Sequence, residues 1–268
     1  MHIHCKIFVI TVNLQILLHR KDRFLMSLFV ISDTHLSFST DKPMDVFGSR
    51  WQYYELKLES AWRDLVTDND TVVIGGDISW AMTFDQALSD LRFLNGLPGK
   101  KLLCRGNHDY WWSTMSKLRR FFIEEQELES IDFLYNNSFE TDDFIVCGSR
   151  GWFNDPGLAP VGADYKKIVA REAVRIGMSI EEGEKRAELS EISKEIIVFL
   201  HFPPIYRGYR CDEIVNVLRQ HGIRRCYYGH IHNVYDMPQS FFSDGIEFTI
   251  TSADYLDFYP MKIERLQN

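Results

Sequence analysis

The stretch Leu28-Phe29-Val30-Ile31-Ser32-Asp33-Thr34-His35 decides the fold. A short apolar run of β-branched and aromatic residues reads as a buried strand, and this one stops at two side chains that bind cations. The same event recurs along the chain. Thr71–Gly75 leads through Gly76 to Asp77, and Lys101–Cys104 leads through Arg105 and Gly106 to Asn107, His108 and Asp109. Ile196–Leu200 leads to His201, and Cys226–Gly229 to His230 and His232. Phe144–Gly148 is a similar run, followed by Ser149 and Arg150.

Between these runs, apolar residues recur every three or four positions. They are Trp51, Tyr54, Leu58, Ala61 and Leu65; Phe84, Ala87, Leu88, Leu91 and Leu94; and Trp111, Met115, Leu118 and Phe122. That is the helical period. Asp212 is placed to cap a further helix ended by Gly222. Strands alternating with helices predict an α/β fold. Residues 164–193 are charged and weakly amphipathic. A structureless loop of that length is rare inside a compact domain, so a helical excursion is expected there. Phe241–Ile263, with Asp244-Gly245 as a turn, reads as closing hairpins.

The chain has 268 residues, 45% hydrophobic and 25% charged, which is ordinary for a globular protein and long enough for a full core. Lys+Arg number 30 against 38 Asp+Glu, a net charge of -8. That argues against general nucleic-acid binding, where affinity comes from neutralising phosphates. The five cysteines are odd in number and include no C-x-x-C pair, so they are expected as reduced thiols in a cytoplasmic protein.

In α/β sheets, sites form beyond the carboxyl ends of strands, so the five clusters are expected to meet there. Asp33/His35 and His230/His232 are i, i+2 pairs that a fraying strand end can aim to one side. Gly75, Gly76, Gly106 and Gly229 precede candidate ligands and permit close backbone approach. Two carboxylates, an amide oxygen and four imidazoles form a mixed O/N donor set. Such a set suits Mn, Fe, Zn or Ni and not an all-oxygen Ca site.

Asp-x-His, Gly-Asp, Gly-Asn-His-Asp, a lone His and Gly-His-x-His, in this order from Leu28 to Ile263, resemble the calcineurin-like metallophosphoesterases. The stretches Gly75–Met82, Arg105–Trp112 and Gly148–Trp152 look most like the small bacterial stand-alone members. The resemblance implies a four-layer αββα sandwich of two mixed sheets flanked by helices, and two divalent ions, with Mn or Fe favoured over Zn or Ni. It implies one metal on Asp33, His35, Asp77 and His232, and the second on Asp77, Asn107, His201 and His230. Asp77 bridges in that pattern. The implied reaction is hydrolysis of a small phosphate mono- or diester by in-line attack of a bridging hydroxide. His108 is then a hydrogen-bond donor or general acid, oriented by Asp109, and Arg105 or Arg150 can hold a phosphate oxygen. A non-catalytic scaffold of the same fold that binds a protein partner is the alternative. The complete ligand set and His108 favour the enzyme.

Trp80, Trp111, Trp112 and Trp152 flank the motifs and are expected mainly as packing area. The acidic run 181–188 is expected as a solvated helix face. The apolar stretch Ile7–Leu18 is shorter than the ~20 residues that cross a bilayer, and the cationic residues follow it instead of preceding it. Residues 1–25 are therefore expected as an extension upstream of a start at Met26, followed by a single domain over 26–268. If the extension is real, a membrane-associating or export segment is the competing reading. The sequence carries no signal for oligomeric state.

Overall fold

The computed structural model describes residues 26–153, 157, 161–162 and 164–266. The expected extension, residues 1–25, lies outside them. In chain order the strands are β1 (Leu28–Ile31), β2 (Thr71–Ile74), β3 (Lys100–Leu103), β4 (Ile131–Phe133), β5 (Ser138–Glu140), β6 (Phe144–Ser149) and β7 (Glu195–Leu200). They continue with β8 (Ile205–Tyr206), β9 (Tyr209–Arg210), β10 (Arg225–Tyr228), β11 (Ser240–Ser243), β12 (Ile246–Ile250) and β13 (Met261–Ile263).

One sheet has the order β13-β1-β2-β3-β4, parallel except for β13. The other has the order β11-β12-β10-β7-β6-β5, parallel except at its two edge strands. Both sheets are covered on each face, which explains why β1 and β2 are buried along their whole length and show no polar alternation. Leu28 and Val30 enter the layer between the sheets with Val73, Leu102, Val146 and Phe199. Phe29 and Ile31 face the opposite way, onto the helices Tyr54–Leu65 and Phe84–Asn95. On the second sheet, Ile145, Val198 and Phe248 pack beneath the helices Tyr165–Leu189 and Asp212–Gln220. The result is the αββα sandwich.

Residues 164–193 contain the 25-residue helix Tyr165–Leu189, which is one of the outer layers and not an appendage. Asp164 caps it by accepting from the Lys167 N–H at 3.1 Å. Its buried stripe includes Val169, Ile176 and Ile180. The weak amphipathicity has a cause: Glu172 and Ser179 are also buried on that stripe, paired respectively with Arg175 and with the Gly148 N–H and Asn137 carbonyl.

Three local expectations change. The Trp111–Phe122 period yields only a turn of α-helix, Met115–Leu118, continued by a π-type segment, Arg119–Glu125. Trp111 and Trp112 stay outside it because the Trp111 indole and the Trp112 N–H both bond to Asp109 in a tight loop. Asp212 sits inside the first turn of its helix, with Cys211 at the cap. Of the closing hairpins, β11–β12 forms over an Asp244-Gly245 turn with φ of 56° and 79°. β13 instead crosses to pair antiparallel with β1, because its strand completes the first sheet. Cys104, Cys147, Cys211 and Cys226 are buried free thiols.

Candidate metal centre

All the candidate ligands follow the carboxyl ends of parallel strands, β1, β2 and β3 from one sheet and β7 and β10 from the other. The two sheets are bonded to each other at this end. Ser32 N–H donates to the Thr251 carbonyl at 2.8 Å, and Ala253 N–H donates to the Ser32 carbonyl at 2.8 Å. The first two loops are laced together as well: Asp33 N–H donates to the Gly76 carbonyl, and His35 N–H to the Asp77 carbonyl. Asp33, His35, Asp77 and His230 all take left-handed backbone conformations, with φ of 58°, 46°, 49° and 71°. Such residues cost roughly 1–3 kcal/mol each and persist where the surroundings over-determine them. Gly106 and Gly229 make room: a side chain at Gly106 would fall on Asp77, and one at Gly229 would stand 2.5 Å from Asp33 Oδ2.

The side chains converge as two triads, Asp33–His35–His232 and Asp77–His201–His230, with the donor atoms of each within 4.8 Å of one another. Asn107 joins the second triad, its Oδ1 lying 2.7 Å from His201 Nε2. Asp77 Oδ2 stands between the triads, 3.8 Å from His35 Nε2 and 3.6 Å from His201 Nε2. Its Oδ1 is occupied, accepting from the His108 N–H at 2.7 Å. A single oxygen of Asp77 therefore faces both halves.

Several observations test whether this set fits metal ions. His201 Nδ1 lies 3.2 Å from the Gly75 carbonyl, an acceptor only, so the ring proton belongs there. Nε2 then turns a lone pair toward the Asn107 oxygen, two acceptors in contact that a shared cation reconciles. His232 Nδ1 likewise bonds to Asp254 Oδ1 at 2.8 Å, which leaves Nε2 facing His35 Nε2 at 3.3 Å. His35 Nδ1 is buried without a hydrogen-bond partner.

Charge points the same way. Burial raises the Asp33 carboxyl to about 7. Burial, then the charges of Asp33 and Asp109, raise Asp77 well above the usual carboxylate range. Among the described residues, only histidines lie within ion-pair distance of either. Burial lowers His35 and His201 well below their ordinary value, and lowers His230 to about 3, so these rings present neutral donor atoms. Burial pulls His232 down too, but its bond to Asp254 and the charge of Asp33 raise it on balance. Buried carboxylates without Lys or Arg, facing imidazoles of which three are held neutral, form a site that divalent cations would complete.

A cavity of about 210 Å³ opens in front of the triads, lined by His35, Asp77, His108, His230 and His232 and walled by Met44, Trp51 and Trp80. This is smaller than the ~300–1,000 Å³ of pockets that enclose drug-sized ligands, so it suits a phosphoryl group and a modest substituent. Trp80, expected as packing area, is a wall of this cavity and stacks on His35 at 4.9 Å. Trp111, Trp112 and Trp152 are buried in the cores.

His108 Nε2 lies 4.0 Å from Asp77 Oδ2, and its Nδ1 lies 3.2 Å from the Tyr110 hydroxyl. Burial, then His232 and Lys42, lower its pKa to about 4. The structure corrects the expectation that Asp109 orients this ring. The Asp109 carboxylate is occupied by the N–H groups of Gly106, Ile78 and Ser79 and by the Trp111 indole. It builds the loop, and the Tyr110 hydroxyl is the group within hydrogen-bond reach of the imidazole. Tyr110 and Asp254 were missed by the sequence reading. The only signal for Asp254 was an aspartate soon after a strand, and for Tyr110 an i+2 spacing from His108. Arg105 and Arg150 stand beyond β3 and β6 and do not line the cavity.

No helix among the described residues is long and apolar enough to cross a membrane. Comparison with curated proteins finds no match. Among solved structures, a phosphopantetheinyl hydrolase from Mycobacterium tuberculosis is similar over 89% of this chain and 96% of its own, at 14% identity and a TM-score of 0.50. A protein of unknown function from Aquifex aeolicus is similar over 88% of this chain and 95% of its own, at 17% identity and a TM-score of 0.46. Residues 26–234 match the family model described as calcineurin-like phosphoesterase, a span that carries all the candidate ligands. The chain belongs to the calcineurin-like phosphoesterase family.

Proposed function

We propose that this chain holds two divalent ions and hydrolyses a phosphate mono- or diester by in-line displacement. The observation that carries the reading is the pair of donor triads meeting at one oxygen of Asp77. Asp33, His35, Asp77 and His232 would hold one ion, and Asp77, Asn107, His201 and His230 the other. Ions bound there supply Lewis acidity at the phosphoryl oxygens and make hydroxide available near neutral pH.

The chain's own groups do the rest. The His201 and His232 rings are fixed by Gly75 and Asp254. Trp80 packs against both His35 and His108 and limits water at that wall. A Tyr110 hydroxyl donating to His108 Nδ1 leaves the ring proton on Nε2, the nitrogen nearer Asp77. From there His108 can donate to a phosphoryl or leaving-group oxygen. The mixed O/N donor set suits Mn, Fe, Zn or Ni, and membership of the family is the ground for preferring Mn or Fe.

The test is metal-stripped protein refilled with Mn, Fe, Zn, Ni or Mg and offered a panel of phosphomono- and phosphodiesters. The reading expects about two equivalents of metal per chain and turnover that returns with metal. Two bound ions without turnover of any ester would leave the scaffold alternative standing.

A further inference from the structure

We propose that Arg105 and Arg150 form a subsite for a second phosphate group of the substrate, beside the metal centre and outside the cavity that holds the reacting phosphoryl group. The inference rests on the proposed phosphoesterase reading and narrows its substrate class.

The strand topology brings the two arginines to one place. Arg105 follows β3, the neighbour of β4, and Arg150 follows β6. The sheets touch at this point so closely that a side chain at Gly148 would stand 2.9 Å from Leu134 Cδ2. Arg150 is also tied to the metal centre through its carbonyl, which accepts from His201 N–H at 3.0 Å and Phe202 N–H at 3.1 Å. Arg105 is two residues from Asn107.

Among the described residues, neither guanidinium is paired with a carboxylate, and no ion pair or side-chain hydrogen bond joins either one to the protein. Arg105 Nε is buried without a partner, and Arg150 lies only over the Trp152 ring at 4.7 Å. The nearby acid, Glu172, is fully buried and already paired with Arg175 and with Ser149 Oγ. Burial and the like charge of Arg105 both work against the Arg150 cation. A buried guanidinium donor without an acceptor is costly, and two together on a chain of net charge -8 are a receptor for an anion. Both arginines are only partly buried, so a ligand can reach them. Their combined charge matches a phosphate dianion, and they are absent from the cavity lined by His35, His108 and His232.

The test uses the Mn-loaded full chain and the p-nitrophenyl ester of thymidine 5′-phosphate, with and without a 3′-phosphate. The leaving group is the same in both. The expected KM is about 10-fold lower for the ester with the 3′-phosphate, with kcat similar. Arg105→Gln and Arg150→Gln should each remove most of that advantage, so that the KM ratio of the two esters falls toward one, with metal content nearly unchanged. Lysine at either position should restore part of it. Equal KM values for the two esters in the unsubstituted protein would overturn the subsite. So would variants that damage both esters alike, because the arginines would then serve the reacting phosphoryl group or the fold. Calorimetry with thymidine 3′,5′-bisphosphate against thymidine 5′-phosphate supplies a readout without ester turnover. An Arg-dependent preference for the bisphosphate in a protein that cleaves no ester keeps the subsite and removes the phosphoesterase reading.

Discussion

The first sheet delivers Asp33, His35, Asp77 and Asn107 to the centre, whereas the second delivers only histidines, His201, His230 and His232. Each triad mixes the two sources, so neither sheet makes a site alone. The first-sheet loops hold their residues through backbone bonds between neighbouring loops and left-handed conformations at Asp33, His35 and Asp77. On the second sheet, His201 and His232 are held through the far nitrogen of the ring, by Gly75 and Asp254. Anionic oxygen comes from the first half. The other half supplies imidazole nitrogen, and for His201 and His232 its aim depends on a second residue. Damage to the first half should therefore remove ions, and damage to the partners of the second should misdirect ligands that remain present.

The largest effect should come from Asp77→Asn. It removes the one anionic oxygen that faces both triads, so both halves fail together. Metal content should fall well below two equivalents and activity to background, read by elemental analysis beside turnover. Two tightly held ions and normal rates in this variant would sever the link between the halves.

His108→Ala tests a residue that faces the cavity but lies in neither triad. Loss of a general acid costs about 10²–10⁴ in kcat. The loss should be large for an alkyl leaving group and smaller for nitrophenolate, with metal content unchanged. Equal losses for both leaving groups would assign His108 to oxyanion stabilisation instead. Tyr110→Phe should give a weaker defect of about 5-fold, the worth of one hydrogen bond. Asp109→Asn should act differently, lowering stability through the four donors on its carboxylate.

Asp254→Asn addresses the second half directly. Removal of the carboxylate behind a ligating histidine typically costs 10–100-fold in metal affinity. The loss should fall on the ion held by His232, so titration of the stripped protein should show one weakened site and one unchanged. Uniform weakening of both would mean that Asp254 acts on the loop as a whole.

This difference between the halves also explains what could be read from sequence. Strand-ending ligands were legible because a strand that stops at Asp or His shows both its element and its chemistry within eight residues, as Leu28–His35 does. The sandwich was legible because β1, β2 and β7 are apolar along most of their length, as strands buried on both faces must be. Groups that act through another residue left no such trace. Asp254 lies 22 positions from His232, and only the pairing of β10 with β12 brings them together. Asp109 was misread because adjacency to His108 suggested contact, whereas the loop turns its carboxylate toward backbone N–H groups. The helix Tyr165–Leu189 looked weakly amphipathic because its buried stripe carries Glu172, Ser179 and two glycines, Gly177 and Gly183.

Those glycines provide the smallest and most local test, in a region that touches the second sheet but not the cavity. Alanine is favoured over glycine by up to ~1 kcal/mol inside a helix. At Gly177 a side chain would meet only Val217 Cγ1 at 3.9 Å, ordinary contact, so Gly177→Ala should stabilise the protein by that amount or less. At Gly183 it would stand 2.5 Å from Cys147 Sγ and 3.1 Å from Ile145 Cγ2, both on β6. Cys147 is itself fully buried and has nowhere to retreat. Overpacking costs about 1–3 kcal/mol, which outweighs the helical gain. Gly183→Ala should therefore lower the unfolding free energy by up to about 2 kcal/mol, measured by denaturant titration. Both variants should keep their metal content and kcat, because the helix lines no part of the site. Opposite signs for one substitution on one helix would show that β6 approaches at Gly183 and not at Gly177. Equal stabilisation by both would mean that the helix stands further from β6 than a 2.5 Å approach to Cys147 Sγ requires.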